Sequence, residues 1–513
     1  LTGASRRSSS PRRPGWWEGA DGHCSRDGPG LKEFKGNDSA LPGIVLAVVT
    51  FWLFAQTTMN IGPLMAGDVG MPMPLMNIAI SLSALFWGMF IVVLGGLGDR
   101  YGRVRVVFLG NVLNIVGSLL IALAFDALAS PMILLGRILQ GLAAGAIMPC
   151  TMALLKDYWE GAQRQRAVSM SSIGSWGGSG LTAIFGGFMA STVLGWRSIF
   201  VICALVSVAS IALMRQIPES APQAGRPGKT DWAGIISLAV ALAALPIVVT
   251  QGSSIGWTNL LTWALFAIFL LAFGVFVNAE LKAPYPLVDF KLFTNSVFTG
   301  ATISNFLING TAGALTVSLW VLQGAAGMSA ATAGYLTAGY AIFIIAFIRV
   351  GEKLLQRFGP RKPMLWGCLV VLASILLLMA THTMQWQYTI LAIVAYSLFG
   401  LGLAFYATPS TDAALTNLPG DQAGAGSGIY KMASSLGAAF GVPASAAIFT
   451  ALSQTGLEIV GTVIEFSGRQ DNLAVREAGM VGLAFNALMA IAALISVTIF
   501  IPRQRKGAAD PQP

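Results

Sequence analysis

The chain has 513 residues, 55% of them hydrophobic and only 10% charged, with a mean hydropathy of +0.71 and a formal net charge of +9. Soluble domains carry about 25% charged residues, so the composition excludes a chain that water solvates over most of its length. Cys24, Cys150, Cys203 and Cys368 include no close pair and offer neither a disulfide framework nor a zinc pattern. The last three stand in apolar segments, as packing cysteines do.

Residues 1–40 are polar, rich in Arg, Ser, Gly and Pro, and without periodicity, which predicts a disordered basic cytoplasmic tail. The sequence starts at Leu1 with no methionine before Met59, and no function is assigned to this tail. Beyond it, a hydrocarbon core of about 30 Å calls for roughly 20 apolar residues per helix. That length picks out fourteen stretches: 41–66, 75–96, 105–125, 131–154, 167–193, 197–214, 231–251, 259–280, 297–322, 331–350, 364–381, 387–411, 429–453 and 479–501. An even number puts both termini on one side. If that side is the cytoplasm, it carries 26 of the 31 basic residues, including Lys431. Arg197, Arg469 and Arg476 fall outside, and Arg137 and Arg349 lie in or near the membrane. The positive charge is thus a topology signal and not a nucleic-acid patch.

The chain also repeats. "GGLGDRYGRVR" (95–105) follows the second stretch and "GEKLLQRFGPRK" (351–362) follows the tenth. Arg100, Tyr101 and Gly102 match Arg357, Phe358 and Gly359 at an offset of 257 residues. The expected organisation is an all-α polytopic membrane protein of 14 transmembrane helices arranged 6+2+6. It comprises a six-helix half at 41–214, two inserted helices at 231–280, a second half at 297–501 and a cytoplasmic tail at 502–513.

Four short motifs carry a resemblance. "GGLGDRYGR" fits the pattern G-x-L-A-D-R-x-G-R through Gly95, Leu97, Asp99, Arg100, Gly102 and Arg103, and "RILQGLAAG" fits R-x-x-Q-G through Arg137, Gln140 and Gly141. "GWRSIF" (195–200) looks like the start of a sixth helix, and "PLVDFKLFTN" (286–295) like the connection before a ninth. Together they resemble the major facilitator superfamily, specifically its fourteen-helix drug:proton antiporters. Whole segments such as "TFWLFAQ", "SIGSWGGSG", "YATPSTD" and "GIYKMASSLG" are similar to the staphylococcal-type quinolone and multidrug exporters known as Nor pumps.

On physical grounds, the motif glycines let the chain turn between helices, and Asp99 can offer its charge to a helix N-terminus or pair with Arg100 and Arg103. The resemblance implies gating for Asp99, Arg100 and Arg103; the positive-inside rule alone also accounts for the arginines. Arg137 lies inside the fourth helix, where a charge costs about 2.5–3.5 kcal/mol on insertion scales and should face a cavity or a carboxylate. The resemblance gives it a part in proton coupling; otherwise it is an anchor that snorkels outward. Many fourteen-helix relatives carry an acid in helix 1, where this chain has Ala55 and Gln56. No carboxylate lies mid-helix, so Asp99 and Asp412 are the cytoplasmic titrating candidates and Asp126 the outer partner of Arg137.

A central cavity between the halves should be apolar and adaptable. Its expected lining is Gln56, Asn60, Asn305, Asn309 and Tyr406 as polar handles, with Trp52, Phe90, Met148, Phe306 and Trp320 as walls. In the fifth helix, Gly174, Gly178, Thr182 and Gly186 form one small-residue stripe, and Ser175, Ser179, Ala183 and Gly187 form another beside it. Together they predict a smooth bearing surface between moving halves. Gly437 and Gly441 repeat the device in the thirteenth helix. The antiporter motif G-x-x-x-G-P-x-x-G-G aligns here, but Thr182-Ala183 replaces its Gly-Pro pair, so no proline kink is expected.

The implied function is proton-coupled efflux of amphipathic drugs, quinolones and cationic dyes or biocides among them. It would run by alternating access in the bacterial cytoplasmic membrane, as a monomer driven by the proton gradient and without any bound cofactor or metal. The alternative on the same fold is proton-coupled uptake or symport of a small metabolite. An enzyme would need converging histidines or carboxylates, yet the histidines are only His23 and His382. ATP drive would need a phosphate loop, which the sequence lacks.

Overall fold

The computed structural model describes residues 40–503 apart from 126–127, most of 160–177, 220–231, 257, 284–287, 289, 417, 419–422, 456–464 and 469. Every regular element among the described residues is helical, as an open bundle in lipid requires, since only helices satisfy their own backbone polar groups there. Helix occupies each of the fourteen predicted stretches. We number them α1 (Leu41–Val69), α2 (Met73–Tyr101), α3 (Arg103–Ala122), α4 (Ala129–Tyr158), α5 (Gly178–Ser191), α6 (Arg197–Met214) and α7 (Trp232–Ile255). The series continues with α8 (Leu260–Lys282), α9 (Ser296–Gly324), α10 (Ala330–Phe358), α11 (Arg361–Leu378), α12 (Gln385–Thr416), α13 (Ala423–Thr455) and α14 (Leu473–Phe500). Among the described residues, 12 helices are long and apolar enough to cross a membrane; α5, described as α-helix from Gly178 onward, and α7 are not among them.

Local chemistry sets the ends. Pro42 and Pro74 start α1 and α2, where a missing N–H costs nothing. Asn259, Asn295 and Ser329 cap α8, α9 and α10 by accepting from free backbone N–H groups. Several helices outrun the apolar stretch that predicted them, α10 and α13 most clearly, because a helix continues once it has left the hydrocarbon.

We refer to the two ends of the bundle by their turns at Gly70 and Gly102. The motif at 95–105 is mostly helix: α2 runs through Gly95, Gly96 and Gly98, and only Gly102 (φ 108°) makes the turn. Gly359 (φ 67°) does the same after α10, so the repeat found in sequence is also a repeat of backbone conformation. Gly95 and Gly98 have another use. A Cβ on Gly95 would lie 3.2 Å from Pro149, and one on Gly98 would lie 2.5 Å from Cys150 Sγ, so both let α4 pack close.

Helix contacts recur eight helices apart. α2 with α4, α3 with α4, α3 with α6 and α1 with α6 match α10 with α12, α11 with α12, α11 with α14 and α9 with α14. The two groups meet along α2 against α13 and α5 against α10. α7 lies over the α2–α13 seam, and α8, mostly exposed, packs on α7.

Candidate functional site

Arg137 is fully buried and donates all five of its N–H groups. Its acceptors are Ala79 O (3.1 Å), Ile80 O (3.3 Å) and Ser83 Oγ (2.5 Å) on α2, Ala55 O (2.5 Å) on α1, and Gln140 Oε1 (2.9 Å) on α4. Every acceptor is neutral. These acceptors take up all five N–H groups; Asp126, the expected outer partner, lies outside the described residues. α1 passes through a π-turn at Thr50–Phe54 and a 3-10 turn at Ala55–Thr57, and this irregular stretch presents the Ala55 carbonyl to Arg137. The network continues through Gln140 Nε2 to Ser118 (3.1 Å), and Asn114 joins Ser207 (2.7 Å) nearby.

At the Gly102 end, Asp99 and Arg100 lie in the last turn of α2. The first turn of α3 takes its charge from Glu219, just beyond α6, which accepts from Val104 N (2.9 Å) and Arg105 N (3.0 Å). Arg103 pairs with Asp157 at the end of α4, and Arg105 lies 3.7 Å from Glu219. These pairs thus tie α3, α4 and the segment after α6 together within one group of helices. Glu219 was not legible as a cap because it is 115 positions from Val104. Asp412, in the last turn of α12, accepts from Thr416 (3.0 Å) and makes no ion pair among the described residues.

The Gly70 end is where the two groups are stitched together. Asn60 of α1 donates to Ala183 O on α5 (2.8 Å) and Ala330 O on α10 (3.2 Å), and accepts from Gln323 Nε2 on α9 (3.0 Å). Trp320 donates its indole N–H to Met59 O (3.1 Å), and Asn77 of α2 donates to Thr450 of α13 (3.1 Å). Asn60 and Trp320 are therefore not open cavity lining, as their polar and aromatic character predicted, but parts of a seal. Gln323 was missed because a single amide near a helix end gives no sequence signal. On the same end, Asp68 bonds Trp196 (3.0 Å) and Arg197 (2.5 Å), closing α1 on α6.

The small-residue stripes of α5 divide their work. Gly174, Gly178 and Gly186 face α1: a Cβ at these positions would lie 3.2 Å from Val45, 3.2 Å from Trp52 and 2.9 Å from Thr57. Thr182, within this stripe, donates to Trp52 O (2.6 Å). The stripe is packing inside one group, not a bearing between groups. The neighbouring stripe is the one that lies between the groups: Gly187 abuts the Ala330 carbonyl, and Ala183 abuts Gly334 of α10. In α13, Gly437 and Gly441 receive the backbone of Phe306 and Gly310 of α9, again within one group.

The remaining predicted lining residues scatter. Tyr406 is buried, with its hydroxyl between Ser304 (2.7 Å) and Ser410 (3.0 Å), and Ser410 accepts from Tyr430 (2.8 Å). This hydroxyl cluster joins α9, α12 and α13 and is not open to a cavity. Asn305 is also buried and donates to Tyr430 O (3.0 Å), while half-buried Asn309 donates back to Asn305. Phe306 stacks on Phe440, which meets Phe485 of α14. Phe90 stacks on Phe86 beside Ala439 and Ala239. Met148 is half-buried against the main core.

Around α1 and α2 a different picture emerges. Trp52 and Trp87 meet edge to face at 5.4 Å beside Phe51. Both indole N–H groups, and Oε1 of buried Gln56, are buried without a hydrogen-bond partner. Such orphaned groups are rare in native interiors. Trp87 escaped sequence reading because it is one aromatic among many in lipid-length helices.

A two-group helical bundle hydrogen-bonded across one end, with a buried arginine and unsatisfied aromatic N–H groups within the first group, is the architecture of a small-molecule transporter. Residues 44–442 and 300–512 match the Major Facilitator Superfamily, and the chain belongs to that family. It is 43% identical over 477 residues to the quinolone resistance protein NorB of Staphylococcus aureus strain MRSA252, covering 93% of this chain and 98% of that one. It is 42% identical over 476 residues to the protein of the same name from strain COL, with the same coverage. Among solved structures, the POT family transporter PepTSo shares the fold with a TM-score of 0.64 at 13% identity, covering 91% of this chain and 99% of that one. A D-xylose–proton symporter does so with a TM-score of 0.61 at 16% identity, covering 91% and 97%. The chain is a multi-pass protein of the bacterial plasma membrane, and its relatives and fold are those of transporters.

Proposed function

We propose that the chain exports amphipathic drugs, quinolones among them and cationic dyes or biocides as further substrates, in exchange for protons. The chain works as a monomer and needs no bound cofactor. It crosses the membrane fourteen times as 6+2+6, with halves at 41–214 and 297–501, helices 231–280 inserted between them, and both termini in the cytoplasm. The excess of lysine and arginine at the Gly102 end supports this orientation. Asp99 and Asp412 are the proton carriers of this reading, and Arg137 holds α1, α2 and α4 in register beside the path.

One observation carries the alternating-access part. The hydrogen bonds that Asn60, Asn77 and Trp320 make between the two groups all lie toward the Gly70 end. With the Gly102 end in the cytoplasm, this is the state closed to the outside, ready to load a drug from within. Asn60→Ala removes an amide that bonds both groups. Each lost bond is worth about 0.5–1.5 kcal/mol, so the substitution shifts the population several-fold toward the outward-open state. Labelling of a cysteine placed at Ala183 by an impermeant reagent added outside should rise accordingly, and unchanged labelling would contradict the latch. The function itself is tested in a host lacking its own pumps. Expression should raise the inhibitory concentration of a quinolone several-fold, and no change at confirmed membrane expression would count against export.

A further inference from the structure

We propose that Lys431 is the substrate-charge selector of this transporter. It binds a carboxylate on the drug, while Trp52, Trp87 and Gln56 receive the aromatic body. The inference rests on the drug-export reading and assigns within it the residue that recognises those substrates that carry a carboxylate.

The placement follows from the faces of α13. At 3.6 residues per turn, Gly437 and Gly441 lie on the side that receives α9, while Ser435 and Leu436 lie on the side that faces Gly88 of α2, where an added Cβ would come within 3.1 and 3.0 Å of them. Lys431 falls on the strip between these two sides. The opposite face carries Phe440, which packs on Phe485 of α14. Lys431 thus points between the two halves, two turns in from the start of α13, and it is exposed there. Its carbonyl accepts from Ser435 Oγ (3.1 Å), but among the described residues no hydrogen bond or ion pair engages its ammonium group. A lysine at this depth that merely anchored a helix would run outward along the α14 side; this one faces the path.

The aromatic wall is close at hand. Gly88, which touches Ser435 one turn above Lys431, is adjacent in α2 to Trp87, and Trp87 contacts Trp52. The two orphaned indole N–H groups are donors and Gln56 Oε1 is an acceptor. Together with the lysine they offer three donors and one acceptor, which suits a planar ring system carrying an acid, a neighbouring carbonyl and an amine. Arg137 lies beside the path in the same half as the tryptophans, and its described hydrogen-bond partners are all neutral, so its charge adds to a local field that favours an anionic group.

The test is binding to the purified full-length protein in nanodiscs, followed by tryptophan fluorescence, with a fluoroquinolone and its methyl ester as paired probes. The acid should bind about tenfold more tightly than the ester to wild type, the value of one hydrogen bond to a charged group. That preference should vanish in Lys431→Gln and persist in Lys431→Arg, with ester affinity unchanged in both. A preference that survives Lys431→Gln, or wild type that binds acid and ester equally, overturns the proposal. Equal loss of acid and ester binding in Lys431→Gln overturns it too, since that marks a structural role. Binding is read without transport, so a failure of export leaves this result standing on its own.

Discussion

Arg137→Ala is expected to abolish transport and to destabilise the first half by roughly 3 kcal/mol or more. The guanidinium satisfies Ala55 O, Ala79 O, Ile80 O, Ser83 and Gln140 from three helices. Removing it leaves buried acceptors unpaired, each at a cost of about 1–3 kcal/mol. Arg137→Lys keeps the charge but offers three donors from a single nitrogen in place of a planar fork of five, so it should recover only part of the loss. Thermal unfolding of the detergent-purified variants checks this. A melting temperature near wild type for Arg137→Ala would show that the hydrogen-bond cluster is not what holds α1, α2 and α4 together.

The second large effect separates two kinds of glycine. In Gly441→Val the new side chain meets the backbone of Gly310 inside the second half, where no motion relieves it, so little folded protein should be recovered. In Gly187→Val it meets the Ala330 carbonyl across the α5–α10 seam, and parting the halves relieves it. That variant should fold, accumulate in the outward-open state and export slowly. Overpacking of this kind costs about 1–3 kcal/mol, enough to invert a conformational equilibrium. Fluorescence-detected size exclusion reports folding, and outside-added thiol labelling at the Gly70 end reports opening. Equal folding yields for the two variants would erase the distinction.

That distinction marks the limit of what the sequence discloses. Helix positions were legible because lipid demands long apolar runs, and the Arg100–Gly102 and Arg357–Gly359 repeat disclosed the two-fold plan because the same turn recurs with positive φ at Gly102 and Gly359. The glycine face of α5 was legible as a packing surface but not its division, since one stripe meets α1 and the next meets α10. Arg137 was legible as buried and costly. Its actual partners are mostly backbone carbonyls, which no residue pattern records, and the helix 1 distortion that supplies Ala55 O has no proline to announce it. Asn60 and Tyr406 were legible as polar groups needing partners; whether those partners were drug or protein depended on contacts from residues far away in the chain, Gln323 and Ser304 among them.

The central claim is export driven by protons, and inside-out membrane vesicles test it most directly. With the lumen made acid, a labelled quinolone should accumulate inside, and an ionophore that collapses the gradient should release it. Asp99→Asn and Asp412→Asn are expected to weaken that drive. Absence of accumulation, or gradient-driven movement of the drug out of preloaded vesicles, would contradict export and point to uptake on the same fold.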